Sequence, residues 1–281
     1  MNRILAVDGN NLLFQMFFGM PSRIVNEKGK PIQGTLGFIG ALLKIIGITE
    51  PTHLVVLFDG QHENPRKKLN SDYKANRIDF SKVSDEKNPF SQLADIYKAL
   101  DYLGISHKET TVCEADDCIA GYALKYGEQC KIIISSFDSD FFQLINNNVS
   151  VLRYRGKNTV ICTPDYIRDK FKISPQQYVD FKSLTGDRCD NIRGADKIGV
   201  KTAANLLAEF ENLENIIINA EKIEKPSIKK SIKENAEMLQ VNYKLIKLDG
   251  TCNLPFALTE LEYTPLNITT YDVLKAIGLR R

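Results

Sequence analysis

Short apolar runs rich in β-branched residues alternate with helix-length segments through the first 160 residues, and this alternation limits the possible folds more than any other feature. Residues 4–7, 54–58 and 132–135 are predicted to be buried strands. Helices are predicted between them, and they are residues 35–48, 90–103 and 115–126. Strands separated by helices pair in parallel and are covered on both faces. The sequence therefore predicts an α/β domain with a mostly parallel central sheet.

The pattern becomes almost wholly helical from about residue 163 and ends near residue 278. We therefore predict two domains, an α/β core at 1–162 and a helical lobe at 163–281. The net charge of +2 excludes a polycation or an acidic tail as the dominant character. The chain starts without a signal-peptide pattern, and no run approaches the roughly 20 apolar residues that cross a bilayer. We expect a cytoplasmic protein that does not bind membranes.

The six cysteines form no CxxC pair and no dense cluster along the sequence. This spacing suggests neither a disulfide framework nor a zinc site. We expect reduced thiols that are buried as small hydrophobic groups.

Acidic residues follow the ends of three predicted strands. Asp8 follows the first strand, Asp59 follows the second, and Asp138 and Asp140 follow the third after a short turn. Residues just past the carboxyl ends of parallel strands converge on one crevice, where such folds bind ligands. Any one of these acids could instead cap a helix. Acids from three separate strands at one edge are harder to explain in that way.

Two further groups of acids extend this set. Glu114, Asp116 and Asp117 fall in the first turn of a predicted helix, and Asp187 and Asp190 lie where the chain leaves the core. Capping explains one acid in a first turn, whereas three repel one another unless a cation offsets the charge. Ligands that are all oxygen favour Mg²⁺ or Mn²⁺ over zinc. Because no Ser-His or Cys-His pair is evident, the residues favour a phosphohydrolase with two metal ions.

Two segments are expected to contact nucleic acid. Residues 61–89 form a polar, basic insertion that includes Tyr73, although a solvated insertion would have a similar composition. Gly199, Lys201 and Thr202 open a predicted helix whose terminal amide groups could hold a phosphate. This part of the chain, at about 186–210, is similar to a helix-hairpin-helix, but an ordinary glycine turn between helices remains an alternative.

The sequence resembles the 5′-nuclease, or flap endonuclease, family, and most closely the 5′→3′ exonuclease domain of bacterial DNA polymerase I. The resemblance runs from residue 7 to about residue 248. It is carried by seven motifs in the same order: Val7-Asp8-Gly9-Asn10, Phe58-Asp59, Arg66 with Tyr73-Lys74-Ala75-Asn76-Arg77, Glu114-Ala115-Asp116-Asp117, Asp138-Ser139-Asp140, Gly186-Asp187-Arg188-Cys189-Asp190-Asn191-Ile192, and Gly199-Val200-Lys201-Thr202-Ala203.

This resemblance implies a PIN-like core, an arch or clamp of helical structure at about 61–89, and a DNA-binding hairpin in the helical lobe. The implied ligands of two Mg²⁺ or Mn²⁺ ions are Asp8, Asp59, Glu114 and Asp116 for the first ion, and Asp138, Asp140, Asp187 and Asp190 for the second. The implied catalytic groups are Lys74 and Arg77 over the scissile phosphate, and Asp117 beside the first cluster. The implied DNA contacts are Arg66, Tyr73 (by stacking on a base), Lys197, Gly199, Lys201 and Thr202.

Three residues of the hairpin depart from the family pattern. Arg193 and Asp196 replace prolines, and Lys197 stands where a second glycine is common. In this family the hairpin carbonyl groups often bind K⁺, so K⁺ is a further expected ion, and these departures put its site in question.

The expected function is that of a stand-alone, monomeric, Mg²⁺-dependent nuclease in DNA replication and repair. It would hydrolyse phosphodiesters of DNA at 5′ ends, flaps and junctions. Three alternatives are a non-catalytic module that binds branched DNA, a nuclease for RNA or RNA–DNA hybrids, and an aspartyl-phosphate phosphatase. The phosphatase would need a lysine to support its nucleophilic aspartate, and the sequence does not reveal one.

Overall fold

The central sheet has the predicted α/β character. The computed structural model describes residues 1–20, 24–60 and 65–280, and a six-stranded sheet lies within them. Its strands are β1 (Arg3–Asp8), β2 (His53–Asp59), β3 (Ser106–Thr110), β4 (Lys131–Ser135), β5 (Val149–Arg153) and β6 (Val160–Cys162). The order is β3-β2-β1-β4-β5-β6, and every neighbouring pair is parallel except β5 and β6. The three predicted strands form its centre.

The described first part of the chain contains five α-helices, of which the shortest belongs to the insertion and the other four cover the sheet. The five are α1 (Gly9–Gly19), α2 (Gln33–Thr49), α3 (Pro65–Leu69), α4 (Leu93–Tyr102) and α5 (Ala115–Tyr126). The three predicted helices are α2, α4 and α5, and the first turn of the predicted α4 is a 3-10 helix, Pro89–Gln92. Helix α1 was not predicted. It begins directly after β1 because the Asp8 carboxylate accepts a hydrogen bond from the Asn11 N–H and caps the first turn.

The remainder of the chain is helical, as predicted. It comprises α6 (Pro164–Phe171), α7 (Tyr178–Thr185), α8 (Val200–Phe210), α9 (Leu213–Ile218), α10 (Pro226–Ile246) and α11 (Thr270–Ala276), with a two-stranded ribbon of β7 (Gly186–Asp187) and β8 (Ile192–Arg193). Within the three described ranges, no helix is both long enough and apolar enough to cross a membrane.

The strand order reverses at β1. The chain moves from β1 to β2 and β3 on one side, then returns to β4 on the other side of β1. A crevice opens outside the carboxyl ends of the strands at such a switch point. Asp8 is the last residue of β1, and Asp138 lies three residues beyond β4. The topology therefore places both acids at this crevice.

The two faces of the sheet have separate apolar cores because successive side chains of a strand point to opposite faces. Leu5 packs in the cluster with α1, α2 and α4, and Ala6 packs in the cluster with α5. This second cluster also contains Leu207 of α8 and Ile232 of α10. The helical lobe is therefore packed on one face of the sheet and shares its core.

The predicted insertion at 61–89 is described from residue 65 onward, and residues 61–64 lie outside the described part. Its helical structure there is α3 and a 3-10 turn at Phe80–Lys82. The Lys74 N–H donates to the carbonyl oxygen of Asp190 at 3.0 Å, and the Asn191 side-chain amide donates to the Asp72 carbonyl oxygen at 2.8 Å. This part of the insertion therefore rests on the segment that connects β7 and β8.

Two glycines allow the β7–β8 ribbon to close. Gly186 has a φ of +79°, which favours glycine, and a β-carbon on Gly194 would lie 2.3 Å from the carbonyl carbon of Thr185. The ribbon brings Asp187 and Asp190 back to the sheet. A side chain at either glycine would therefore disturb the position of both acids.

We expect Gly194→Ala to destabilise the protein by about 1–3 kcal/mol, because the added carbon overlaps backbone that has no room to move. Gly199→Ala is the matched control. Gly199 has an ordinary φ of −94°, and a β-carbon there would meet no atom within 4 Å, so its cost should stay below about 1 kcal/mol. Urea unfolding followed by circular dichroism measures both. Equal stability of the two variants would contradict this account of the ribbon.

Candidate active site

A cavity of about 550 Å³ opens at the carboxyl edge of the sheet, and four acids line it. Asp8 ends β1, Asp59 ends β2, Asp116 lies in the first turn of α5, and Asp138 lies in the loop after β4. All four were predicted as metal ligands. The structure brings them to one cavity from four separate elements.

Backbone and hydroxyl groups fix the two acids that end strands. Asp8 accepts hydrogen bonds from the Asn11 N–H at 3.0 Å and from the Ser136 hydroxyl at 2.8 Å. Asp59 accepts one from the Ala115 N–H, at the start of α5, at 2.7 Å. Both acids therefore accept hydrogen bonds from the first residues of helices, as the capping alternative expected, and they also line the cavity. A carboxylate has enough lone pairs to accept such a bond and still bind a cation.

Burial and mutual repulsion disfavour the ionised forms of these carboxyls. Burial, together with Asp59 and Asp138, raises the pKa of Asp8 from 3.8 to about 7. Burial and the nearby carboxylates of Asp8, Asp138 and Asp59 raise the pKa of Asp116 well above its usual value. The pKa of Asp138 is also raised, by burial and by Asp190. Protons or divalent cations must offset this repulsion.

Two other predicted metal ligands are held by cations of the insertion. Glu114 pairs with Arg66 and with Lys74, whose Nζ lies 2.6 Å from Glu114 Oε1. Burial would raise the pKa of Glu114, but Lys74 and Arg66 outweigh it and lower that pKa. Arg77 Nη2 lies 3.0 Å from Asp190 Oδ1. Lys74 and Arg77, the two predicted catalytic cations, therefore lie at the acids in this structure.

The last two predicted ligands share a lysine that sequence reasoning missed. Lys182 of α7 pairs with Asp187, and its Nζ lies 3.7 Å from Asp140 Oδ1, a buried atom with no hydrogen-bond partner among the described residues. The available signal was a lysine that follows the apolar residues Val179 and Phe181 in α7, five residues before Asp187. This is also the kind of lysine that the phosphatase alternative lacked. Its contact with Asp187 makes it a counter-ion of the second acid group.

Asp117 does not line the acidic cavity. Its carboxylate accepts two hydrogen bonds from Arg66, at 2.7 and 2.9 Å, and one from the Asp249 N–H at 2.8 Å. These three bonds direct it away from Asp116, because adjacent residues of a helix point to different sides. Asp117 therefore holds Arg66 in this structure, and its predicted catalytic role stays a prediction.

Tyr73 is buried rather than open to a base. It is 3% exposed and packs with Val179, Ile192, Leu245 and Ile246, while Lys74 Nζ lies 4.9 Å from the centre of its ring. The predicted stacking of Tyr73 on DNA does not fit this position, because no ring face is available. The apolar neighbours come from the helical lobe, which sequence reasoning did not place beside the insertion.

An aromatic wall stands beside the four acids, and sequence reasoning missed it. Phe14, Phe18, Phe80 and Phe90 line the same cavity, and Phe14 packs edge-on against each of the other three rings. Phe18 is 58% exposed. The available signal was the i,i+4 spacing of Phe14 and Phe18 directly after Asp8, which puts both on one face of a helix.

The hairpin exposes two of the predicted DNA-binding lysines. Lys197 and Lys201 are exposed, and Gly199 is the N-terminal capping residue of α8, with Thr202 in its first turn. Lys197 has a φ of +65°, whereas the φ of Gly199 is ordinary. Lys197 therefore adopts the left-handed backbone conformation in this turn, and Gly199 does not. Arg193 and Asp196, two of the departures, form an exposed ion pair at 2.9 Å.

The donor set of the acidic cavity fits a hard cation. Its acids are all oxygen donors, and they lie farther apart than the ligands of a closed cage, since no three of them have ligand atoms within 4.8 Å of one another in the part of the chain that is described. Mg²⁺ keeps several waters and binds through one or two carboxylates. Widely spaced acids around an open cavity suit that preference.

Three cysteines form the one compact group of possible metal ligands among the described residues. The Sγ atoms of Cys113, Cys118 and Cys252 all lie within 4.8 Å of one another. The spacing along the sequence did not reveal this group, because the fold brings Cys252 to Cys113 and Cys118 from more than 130 positions away. Burial raises the pKa of Cys113 and of Cys252 to about 12.

Both parts of this chain, the doubly wound sheet and the helical lobe, match the domains of a known protein family. Residues 3–172 match the N-terminal, resolvase-like domain of 5′-3′ exonucleases, and residues 173–269 match their C-terminal SAM fold. The chain therefore belongs to the 5′-3′ exonuclease family.

Individual relatives agree with this membership. The chain is 34% identical to the 5′-3′ exonuclease of Aquifex aeolicus, over 88% of this chain and 82% of that protein, and 32% identical to that of Buchnera aphidicola subsp. Schizaphis graminum, over 96% and 90%. It is also 34% identical to the thermostable DNA polymerase I of Thermus filiformis, over 96% of this chain. It spans only 31% of that polymerase.

Solved structures share the fold. The flap endonuclease of bacteriophage T5, in complex with DNA and metal ions, aligns with a TM-score of 0.72 at 22% identity, over 99% of this chain and 94% of that chain. The catalytic core of Rad2, in complex with a DNA substrate, aligns with a TM-score of 0.59 at 18% identity, over 100% and 92%. These likenesses confirm the architecture.

The raised pKa values predict how the stability of the metal-free protein depends on pH. The folded protein keeps protons on Asp8 that the unfolded chain releases, so the free energy of unfolding should fall as the pH rises from about 4 to about 7. Asp116→Asn removes a repelling neighbour and should make this fall less steep. Urea unfolding in EDTA at a series of pH values measures it.

The control is Asp165→Asn, which removes an exposed acid of α6 and should follow the wild type. Excess Mg²⁺ should flatten the dependence of the wild type. Identical profiles for Asp116→Asn and the wild type in EDTA would contradict the repulsion.

Proposed function

We propose that this protein is a Mg²⁺-dependent 5′ nuclease that hydrolyses DNA phosphodiesters at 5′ ends and flaps. The observation that carries the proposal is the cavity in which four carboxylates meet beside a basic insertion. The family membership supports a nuclease, and the T5 neighbour, by its name, cuts flaps and was crystallised with DNA and metal ions. Roles in DNA replication and repair are part of the same proposal.

The acids would hold two divalent ions. Asp8, Asp59 and Asp116, with Glu114 behind them, would hold one, and the Asp138 side of the cavity, with Asp140, Asp187 and Asp190, would hold the other. When bound, such a pair lowers the pKa of the attacking water and stabilises the leaving oxygen. The Lys182 pairs with Asp140 and Asp187 keep the second group in place.

Arg77 is the cation best placed to reach a substrate phosphate. Its side chain is 52% exposed and lines the cavity, whereas Lys74 is 8% exposed and paired with Glu114. A guanidinium that leaves Asp190 for a phosphate would stabilise charge that develops in the transition state. Lys74 and Arg66 would position Glu114, a role that differs from the contact with the scissile phosphate expected for Lys74 from the sequence.

The remaining surface would hold the rest of the substrate. The exposed ring of Phe18 would pack against a base at the entrance to the cavity, a contact that tolerates any sequence. Lys197, Lys201 and the amide groups at the start of α8 would contact phosphates of the duplex without reading its sequence. The K⁺ at the hairpin remains a prediction.

Cleavage of a 5′-flap duplex tests the reaction. With the flap strand labelled at its 3′ end, we expect Mg²⁺-dependent products near the junction of single strand and duplex, and none in EDTA. Asp138→Asn should lower the rate at least about 100-fold, since it removes a donor between the two ion positions. Its flap affinity in EDTA should stay similar or rise because a charge that repels phosphate is lost. The exposed variant Asp165→Asn should cut at the wild-type rate.

The other outcomes of this assay separate the alternatives. Tight flap binding without any cleavage by the wild type would favour the non-catalytic DNA-binding module. Faster cleavage of an RNA–DNA hybrid than of DNA would favour the hybrid nuclease. A wild-type rate in Asp138→Asn would refute the assignment of the site.

The hairpin is tested through the salt dependence of binding. Lys201→Met should weaken flap binding and lower the slope of log affinity against log salt by about 1, because one phosphate contact is lost. The rate at saturating DNA should not change. Lys98→Met, on α4, serves as the control for loss of one exposed charge. If both variants lower the slope equally, the hairpin has no special part in binding.

A further inference from the structure

A second group of possible metal ligands lies outside the acidic cavity. Cys113 lies two residues before α5, Cys118 lies in the first half of α5, and Cys252 lies in the segment after α10. The Sγ atoms of Cys113 and Cys118 are 3.3 Å apart, and all three Sγ atoms lie within 4.8 Å of one another. The other three cysteines do not belong to this group.

The spacing of the sulfur atoms suits one metal ion. Zinc binds thiolate sulfur at about 2.3 Å, so two sulfurs of a tetrahedral site lie about 3.8 Å apart. The Cys113–Cys118 separation of 3.3 Å is slightly shorter than this value, and all three separations stay within 4.8 Å, so small rotations of the side chains would bring the sulfurs to the spacing of a bound ion. Sulfur donors select soft or borderline ions such as Zn²⁺, whereas the oxygen donors of the acidic cavity select Mg²⁺.

We propose that Cys113, Cys118 and Cys252 bind one thiophilic metal ion, with Zn²⁺ as the best match. A cavity of about 490 Å³ adjoins the group, and Cys113, Cys252, Asp249 and Lys247 are among its lining residues. This cavity leaves room for a fourth ligand from solvent. The site has three protein ligands and one open position, unlike a closed structural site with four.

The ion would connect two parts of the chain that support the acidic cavity. Cys113 and Cys118 flank the turn that carries Asp116, and Cys252 follows the segment in which the Asp249 N–H holds Asp117. A metal shared by these segments would fix the C-terminal segment against α5. We therefore expect the ion to stabilise the folded protein, as any ligand does that binds only the native state.

Cobalt absorption tests the site directly. Full-length reduced protein, in excess Mg²⁺ to occupy the carboxylates, is titrated with Co²⁺, which gives intense thiolate-to-metal charge-transfer absorption only when sulfur is bound. We expect one equivalent of Co²⁺ to bind with this absorption and one equivalent of Zn²⁺ to displace it. Zn²⁺ should also protect three of the six cysteines from a thiol reagent.

Single substitutions identify the ligands. Cys252→Ala should lose the absorption, and Cys252→Ser, at this partly exposed position, gives a second variant if the alanine protein does not fold. Cys130→Ala removes a buried thiol outside the group and should keep the full signal. Absence of charge-transfer absorption in the wild type, or an equal signal in the folded Cys252 variants, would overturn the proposal. An equal loss in Cys130→Ala would overturn it as well.

Discussion

Mutual repulsion among buried carboxylates is the constraint on which the rest of this structure depends. A parallel sheet that ends several strands in acids brings those acids together, and burial weakens the solvation that would otherwise separate their charges. The raised pKa values of Asp8, Asp116 and Asp138 express this cost directly. The insertion and α7 bring cations to this edge, and α1, α5 and the loop after β4 bring hydrogen-bond donors.

In the described part of the chain, four of the eight predicted metal ligands have a cationic partner from the protein itself, and these are not the four that line the cavity. Arg66, Lys74, Arg77 and Lys182 pair with Glu114, Asp190, Asp187 and Asp140, whereas the four acids that line the cavity have no ion-pair partner among the residues that the structure describes. These ion pairs also connect separate parts of the chain. Cations of the insertion pair with Glu114, next to α5, and with Asp190, in the β7–β8 segment. If the protein has the proposed function, some of these ion pairs would break when metal ions and substrate bind, and the freed groups would contact the ions or the substrate instead.

The same edge explains why the helical lobe shares a core with the sheet. Asp190 pairs with Arg77, which lines the cavity, and Asp187 pairs with Lys182 of α7, so the β7–β8 ribbon must stay beside these cations. The packing of α8 and α10 on the α5 side of the sheet supports that position. Gly186 and Gly194 allow the ribbon to close without a side chain in the way. Stability of the lobe and geometry of the site are therefore coupled.

The sequence by itself determined the central strands, the main helices and the acids that line the cavity. Those features are local, since the apolar periodicity of a strand and an acid at its end are both visible within ten residues. The edge strand β3 was not visible, because its residues Ser106–Thr110 are polar and half-exposed. Only the tertiary structure decided that Lys182 serves the second acid group, that Tyr73 is buried, that Asp117 holds Arg66, and that three distant cysteines meet. Each of these depends on contacts between residues far apart in the chain, and no local pattern encodes the separation at which they pack.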